Sequence, residues 1–265
     1  MTTSRSPAMA AKEAESYDGY DAIEIAAMLS LPRVLLFDEV PSTLDIAHRL
    51  ADEGAEADTL VIADEQTAGR GRMGRTWHSE PGRGIWLTLI ERPAATEMLS
   101  VLSLRVALAL APALEHFAEM PIRLKWPNDV YVGDRKLAGV LLEARWRGSR
   151  LDWLAAGVGI NVRAPQSYEA GSLAAGTDRM AVLRTVIPGL RRALAASGPL
   201  SAAEISAFAA RDLALGLECE LPVAGHVAGI DANGALLVDT DGRRAVHHGG
   251  SLVLVDRTAT SGGRP

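Results

Sequence analysis

The chain has 265 residues, enough for one large domain or for a large domain with a small one beside it. Its net charge of -6 argues against attraction of nucleic acid by the overall field, and its single cysteine excludes an internal disulfide. It contains no apolar run of about 18 residues and no signal-peptide layout, so we expect no membrane span and a reducing, cytoplasmic compartment.

The first half of the chain predicts alternating helices and strands. Residues 1–20 are rich in Ala, Ser, Glu and Thr, and we expect them to be disordered. A short helix then ends before Pro32 and is followed by the strand "RVLLFDEV". A second helix begins at Ser42, which we expect to be its N-cap, with Asp45 three residues on. The strand "DTLVIADEQ" leads into the loop "QTAGRGRMGRTWHS".

The second half predicts more strands and then a small barrel. The strand "GIWLTLIE" precedes a long apolar helix, which Pro112 should kink or split. The strands "IRLKWP", "DVYV", "RKLAGVLLEARW" and "LDWLAAGVGINV" follow, and then helices at roughly 178–196 and 201–214. From Glu218 onwards, short strands with "NG" and "DG" turns are typical of a small β-barrel. We therefore expect a main domain over 21–216, a barrel over 217–257 and a loose tail over 258–265.

The last strand of the main domain alternates strictly in residue type. Since alternation separates the two faces of a strand, one face packs on the core and the other leaves a floor with open volume above it, which a ligand can approach. A neighbouring element packed against the glycines explains this second face equally well. The core face holds Leu154, Ala156, Val158, Ile160 and Val162, and the floor holds Ala155, Gly157, Gly159 and Asn161.

Lys136 stands near the start of a strand that reads as apolar on both faces. By simple alternation it shares a face with Ala138, Val140 and Leu142. An ammonium in such surroundings needs an anion or a polar partner, unless its stem reaches solvent at the hairpin end.

The loop from Gln66 to Ser79 alternates glycine with Arg70, Arg72 and Arg75. An RNA-binding patch, an exposed turn and a loop that closes over an anionic ligand each explain this pattern. Few phosphates could be neutralised here, which disfavours RNA. The loop matches neither a Walker A motif nor a dinucleotide fingerprint, and no zinc spacing or nucleophile elbow occurs in the sequence. The residues favour a reaction between two bound small molecules, catalysed by positioning and charge neutralisation.

Four motifs in order, "PSTLD", "DEQTAGRGRMGRTWHS", "KWPNDVYVGDRKLAGVLLEA" and "GVGINV", resemble the biotin protein ligases over about residues 33–255. The resemblance implies an α+β fold, in which a mixed β-sheet backed by helices, like the core of class II synthetases and lipoate ligases, precedes an SH3-like β-barrel. It implies that biotin and ATP give biotinyl-5′-AMP with Mg²⁺, and that biotin then passes to one lysine of a biotin carboxyl carrier domain of an acyl-CoA carboxylase.

The resemblance also assigns residues, and it makes 21–216 the catalytic biotin- and ATP-binding domain. Lys136 and Arg72 are the expected catalytic residues, and Asp129 is the expected site of Mg²⁺ with the ATP phosphates. The residues that the resemblance implies for biotin binding are Ser42, Thr43, Gln66, Gly69, Arg70, Arg72, Lys136 and Gly139. The residues that it implies for binding of ATP and the adenylate are Arg72, Arg75, Trp77, Asn128, Asp129, Lys136 and Asn161.

Two other functions stay open from the sequence. A lipoate or octanoate transferase would share a related core, and a regulator that only binds biotin would need a DNA-binding module. About 32 residues precede the first core strand, too few for a winged helix, so we expect no DNA partner. We also expect no membrane partner, and a monomer or weak homodimer.

Overall fold

A mixed sheet of eight strands forms the centre of the main domain. The structure is a computed structural model that describes residues 11–92 and 99–255, so the predicted tail 258–265 lies outside the described residues. The sheet runs in the order β1-β2-β3-β4-β8-β7-β6-β5. Its strands are β1 (Lys12–Glu13), β2 (Arg33–Val40), β3 (Thr59–Gln66), β4 (Gly84–Glu91), β5 (Ile122–Lys125), β6 (Asp129–Val132), β7 (Arg135–Arg147) and β8 (Arg150–Asn161). Strands β2 and β3 are parallel, and the other neighbouring pairs are antiparallel.

Helices cover both faces of this sheet. They are α1 (Ala22–Leu29), α2 (Thr43–Asp52), α3 (Leu99–Glu115), α4 (Arg179–Ala195) and α5 (Ala202–Ala209). Helices α1, α3 and α4 share a large hydrophobic cluster with one sheet face, which includes Ala156, Val158 and Ile160 as predicted. Helix α2 packs on the opposite face, where Leu44 and Ala155 belong to a second cluster. Since α2 is the one helix on that face among the described residues, part of the face is left for a cavity.

Two predicted helices differ from the observed ones. Pro112 does not start a new helix, because α3 runs through it to Glu115. Leu110 and Leu114 are fully buried, and this packing outweighs the hydrogen bond that proline removes. Helix α5 ends at Ala209 rather than at 214, because the backbone beyond it pairs with β5 instead: Leu124 N–H donates to the Arg211 carbonyl at 2.8 Å.

The prediction of disorder over 1–20 is wrong for residues 11–20. Strand β1 pairs with β2 at the sheet edge, and the Tyr17 ring is buried with its hydroxyl donating to the Gly84 carbonyl at 3.3 Å. Asp18 forms an ion pair with Arg179 of α4, and that guanidinium lies 4.2 Å from the centre of the Tyr17 ring. The low hydrophobicity of the segment concealed this single aromatic anchor. Residues 1–10 lie outside the described residues.

A second, five-stranded antiparallel sheet of the kind expected for an SH3-like barrel follows. Its order is β12-β11-β10-β9-β13. The strands are β9 (Glu218–Leu221), β10 (Gly225–Ile230), β11 (Leu236–Thr240), β12 (Arg243–His247) and β13 (Val253–Leu254). The Trp126 indole donates to the Gly234 carbonyl at 2.9 Å, and Leu236 belongs to the same large cluster as α3, so the two sheets share one hydrophobic core. The fold class is confirmed, and the boundary at 217 stays a prediction. None of the helices in the described ranges combines the length and apolar character needed to cross a bilayer.

Candidate functional site

One cavity of about 240 Å³ brings the predicted site residues together. It lies on the sheet face that carries α2, between the N-terminus of that helix, the Gly/Arg loop, strands β6 to β8 and the barrel segment 250–252. Of the predicted site residues, Gly69 and Asn161 do not line it. Those that do are Ser42, Thr43, Gln66, Arg70, Arg72, Arg75, Trp77, Asn128, Asp129, Lys136 and Gly139.

Neutral hydrogen-bonding groups form one end of the cavity. The Gln66 carbonyl oxygen accepts from the Thr43 backbone N–H at 2.9 Å and from its hydroxyl at 3.2 Å, which fixes the carboxamide. Thr88 supports this arrangement from below by donating to the Thr43 hydroxyl at 2.8 Å, and Gln66 donates to Ser79 at 2.8 Å. The motifs assign no role to Thr88 or Ser79, because neither position has a chemical signal of its own.

Ser42 is the N-cap residue of α2, but its side chain does not cap the helix. Its hydroxyl makes no bond to the backbone of the first turn, so that part of the prediction is wrong. The oxygen is buried without a hydrogen-bond partner among the described residues, and it lies in the cavity wall. Because an unpaired buried hydroxyl is costly, this oxygen is a candidate to bond a polar ligand atom in the cavity.

The glycine floor is covered by the protein itself. A Cβ on Gly159 would come within 2.5 Å of the Trp77 indole, and one on Gly157 would meet Leu44 at 3.1 Å. Trp77 and Leu44 therefore occupy the space next to these glycines, as the alternative of a packed neighbouring element predicts, while both glycines still line the cavity. Trp77 packs edge-on against Trp86, with ring centres 6.3 Å apart. Its upper surface forms part of the cavity wall.

Lys136 reaches the cavity because a β-bulge changes its face. The pairing of β6 with β7 shifts by one residue at Leu137, so Lys136 lies on the face of Gly139 rather than with Ala138 as predicted. Its Nζ lies 5.2 Å from the centre of the Trp77 ring. It also lies 2.7 Å from Asp129 Oδ1, close enough for an ion pair.

Cations dominate the other end of the cavity. Arg72, Arg75, Lys125 and Lys136 line it, and Asp129 is the one acidic side chain among the described residues of the wall. Burial lowers the pKa of the Arg72 guanidinium, and burial likewise lowers the pKa of Lys125. Such groups are desolvated without a full set of anionic partners, which is the environment of an anion site. Lys125 is one of three lysines in the sequence, and the motifs assign it no role.

The remaining assigned residues support the wall. Asn128 accepts from Arg72 at 3.4 Å and donates to the Val140 carbonyl at 2.6 Å, which ties the loop to the sheet. Asn161 lies behind the wall, where it donates to the Lys136 carbonyl at 3.4 Å. Gly69 is buried and has no room for a side chain beside the Trp77 carbonyl.

The Gly/Arg loop is a folded hairpin in contact with the barrel. Gly71 N–H donates to the Arg75 carbonyl at 2.7 Å, and Met73 takes the left-handed conformation with φ 56° at the tip. Arg75 donates to the Ser251 hydroxyl at 2.7 Å. Sequence reasoning missed Ser251 because it lies 176 positions from Arg75 along the chain. Arg70 pairs instead with Asp45 at 3.0 Å and with Glu143 at 3.2 Å.

Fold and cavity together define a class of protein in which a cavity, neutral and polar at one end and cationic at the other, lies beneath a glycine-rich loop. Comparison with known proteins identifies the family to which such a fold and cavity belong. The profile of the biotin/lipoate A/B protein ligase family matches residues 36–161. The chain is 32% identical to a biotin–[acetyl-CoA-carboxylase] ligase of Mycobacterium tuberculosis, over 79% of this chain and 84% of that protein. The chain belongs to the biotin protein ligase family.

Two further comparisons bear on the extent of the match. The structure of the Aquifex aeolicus biotin protein ligase in complex with biotin and ATP superposes with a TM-score of 0.70 at 30% identity, covering 84% of this chain and 98% of that one. The bifunctional ligase/repressor BirA of Bacillus spizizenii is 43% identical over 47% of this chain. That match spans 39% of the Bacillus protein.

Proposed function

We propose that this chain activates biotin with ATP to biotinyl-5′-AMP and then transfers the biotinyl group to a lysine of a biotin carboxyl carrier domain. One observation carries the proposal: a single cavity joins a neutral, hydrogen-bonding end to a strongly cationic end. Biotin has the matching polarity, with an uncharged ureido ring at one end and a carboxylate at the other. Relatives named for this activity, and a neighbour solved with biotin and ATP, support the same reading.

The neutral end favours biotin over lipoate. Ser42, Thr43 and Gln66 offer a free hydroxyl and a fixed carboxamide, which suit a ureido group that both donates and accepts. A dithiolane ring would leave the buried Ser42 hydroxyl unpaired, and sites built for hydrogen bonds reject such analogues strongly. Leu44 and Leu141 in the wall suit the aliphatic chain between ring and carboxylate.

The cationic end suits the first chemical step. A carboxylate oxygen of biotin attacks the α-phosphorus of ATP, the new P–O bond forms, and the bond to the β-phosphate oxygen breaks to release pyrophosphate. Negative charge accumulates on the phosphoryl oxygens in this transition state. Lys136 and Arg72 are placed to neutralise it, with Arg75 and Lys125 beside them. No protein nucleophile is required.

The chemistry of the donor set also fits Mg²⁺ bound mainly through ATP. Mg²⁺ in nucleotide sites takes one or two protein carboxylates and several phosphate oxygens. Asp129 supplies such a carboxylate in the cavity wall, where its Oδ1 lies 2.7 Å from Lys136 Nζ. Asp129 would hold the ion, which would supply further neutralisation of the phosphates. The described residues contain no cluster of three or more metal-ligating acids, histidines or cysteines that could bind a metal without the nucleotide.

Transfer needs the adenylate to be held until an amine arrives. The carrier lysine attacks the carbonyl carbon of the mixed anhydride, the amide bond forms, and AMP leaves with the electrons of the acyl–oxygen bond. Arg72 and Trp77 lie on the loop that closes this part of the cavity. We assign containment of the adenylate to this loop, and the remaining predicted site residues keep the roles stated from the sequence.

The first step is tested by exchange of radiolabelled pyrophosphate into ATP. We expect exchange that depends on both biotin and Mg²⁺ and that lipoate or octanoate does not support. A Lys12→Ala variant should keep normal exchange and serves as the matched control for substitutions of Lys136, because Lys12 is an exposed lysine paired with Asp38 at the far sheet edge. Exchange driven by lipoate but not by biotin would replace this proposal with lipoate activation.

A further inference from the structure

Arg70 is held by a chain of side chains that starts in the buried core. The Trp153 indole N–H donates to His48 Nδ1 at 2.9 Å, and His48 Nε2 lies 2.7 Å from Glu143 Oε2. Arg70 Nη2 donates to the same Glu143 oxygen at 3.2 Å, and it also contacts Asp45 at 3.0 Å. The chain therefore joins β8, α2 and β7 to the base of the Gly/Arg loop.

The direction of each hydrogen bond is determined by chemistry. An indole nitrogen can only donate, so Nδ1 of His48 must be the acceptor and the ring proton must sit on Nε2. His48 therefore donates to Glu143, and this hydrogen bond lowers the pKa of the Glu143 carboxyl below its usual range. Trp153 and His48 are both buried, so the carboxylate faces Arg70 from a rigid base.

We infer that Trp153, His48 and Glu143 form a positioning network that anchors Arg70 and so sets how often the Gly/Arg loop opens. Arg70 then acts as the hinge-side anchor of the loop, whereas Arg72 and Arg75 face the cationic end of the cavity. The consequence for catalysis rests on the proposed function, but the anchoring of the loop does not. It is measurable with no ligand present.

Trypsin reads loop opening directly, because it cleaves after arginine and the loop contains Arg72 and Arg75. We expect Glu143→Gln to raise the cleavage rate at these two sites by about three- to tenfold, since a charged hydrogen bond becomes a neutral one at a partly exposed site. The control is Asp239→Asn, which weakens an exposed ion pair with Arg244 in the barrel and should leave loop cleavage unchanged.

Two further variants separate anchoring from a general loss of stability. His48→Gln keeps one hydrogen-bond donor and one acceptor at this position. We therefore expect its loop to be cleaved by trypsin nearly as slowly as that of the unmodified protein, whereas the loop of His48→Leu should be cleaved faster. Glu143→Gln should have no further effect in an Arg70→Ala background, because the network acts through Arg70. In the pyrophosphate assay, Glu143→Gln should raise KM for biotin more than it lowers kcat.

Two outcomes would overturn the network. One is loop cleavage that is unchanged in both Glu143→Gln and His48→Leu. The other is an effect of Glu143→Gln that is as large without Arg70 as with it. Failure of the biotin-dependent assay with normal cleavage results would instead refute the proposed function and leave the loop anchor intact.

Discussion

The Trp77 indole lies on Gly159, so closely that a Cβ at this glycine would come within 2.5 Å of the ring. Lys136 sits 5.2 Å from the centre of the same ring. A substitution on the floor of the cavity therefore has to move the side chain that helps to place the lysine.

We expect Gly159→Ala to displace Trp77, to destabilise the fold by ~1–3 kcal/mol and to impair pyrophosphate exchange. The control is Gly189→Ala in α4, whose added methyl would meet Ala109 at an ordinary 3.5 Å and should be neutral or stabilising. Thermal unfolding and exchange rates of both variants check this. Equal behaviour of the two would show that Trp77 does not depend on the bare floor.

Lys136→Ala should raise the barrier to adenylate formation by ~3–4 kcal/mol, that is slow it by roughly two to three orders of magnitude, because it removes a charge used chiefly in the transition state. Biotin-dependent pyrophosphate exchange is the measurement, and Lys12→Ala is the control for loss of a lysine elsewhere. An exchange rate close to that of the unmodified protein would remove Lys136 from the mechanism.

The Arg72→Gly variant should still form the adenylate, because Lys136 remains. It should release the adenylate faster, because the contact between the Arg72 guanidinium and the phosphate is lost. Arg72 is bonded to the sheet through Asn128 at 3.4 Å, so its loss also frees the loop. A lost charge-assisted contact of ~1.5–3 kcal/mol shortens residence by roughly ten- to a hundredfold.

Serum albumin in large excess reports this escape. Mass spectrometry should find biotin on albumin lysines with Arg72→Gly and little with the unmodified protein. If labelling stays confined to the carrier while the variant still makes adenylate, then Arg70 or Arg75 holds the intermediate instead.

The pH dependence of stability should carry a signature of Asp212. Burial raises the pKa of this carboxyl to about 6, while its Oδ1 accepts from the Ala214 N–H at 2.8 Å. The folded state thus binds a proton that the unfolded state releases, so stability is lost as pH rises from about 4 to above 6. Asp212→Asn removes this titration. The free energy of unfolding of the variant, measured relative to that of the unmodified protein, should therefore be ~2–3 kcal/mol higher at pH 8 than at pH 4. Urea unfolding at both pH values checks the gain, and an equal difference at the two would contradict it.

Most of the fold could be predicted from the sequence, because alternation and turn residues are local signals. The strands around Leu36, Ile62 and Val158 follow from alternation and apolar runs alone, and the large core confirms them. The folded state of residues 11–20 could not be predicted, since it depends on contacts of Tyr17 and Asp18 with distant parts of the chain.

The site divides in the same way. The cavity contains most of the residues that the motifs singled out, but their geometry depends on events without a sequence signal. A one-residue bulge at Leu137 turns Lys136 into the cavity, and the free hydroxyl of Ser42 was mistaken for a helix cap. Ser251 and the anchor of Arg70 come from segments far from the loop, so no local pattern could place them.

The most direct test of the account is the mass of a carrier domain after incubation with this protein. The mixture contains a biotin carboxyl carrier domain, ATP, Mg²⁺ and either biotin or lipoate, and a parallel carrier has its acceptor lysine replaced by arginine. We predict the addition of one biotinyl group to the intact carrier, none to the arginine form and no lipoyl group. A carrier that stays unmodified with biotin, or that gains a lipoyl group instead, would contradict the account.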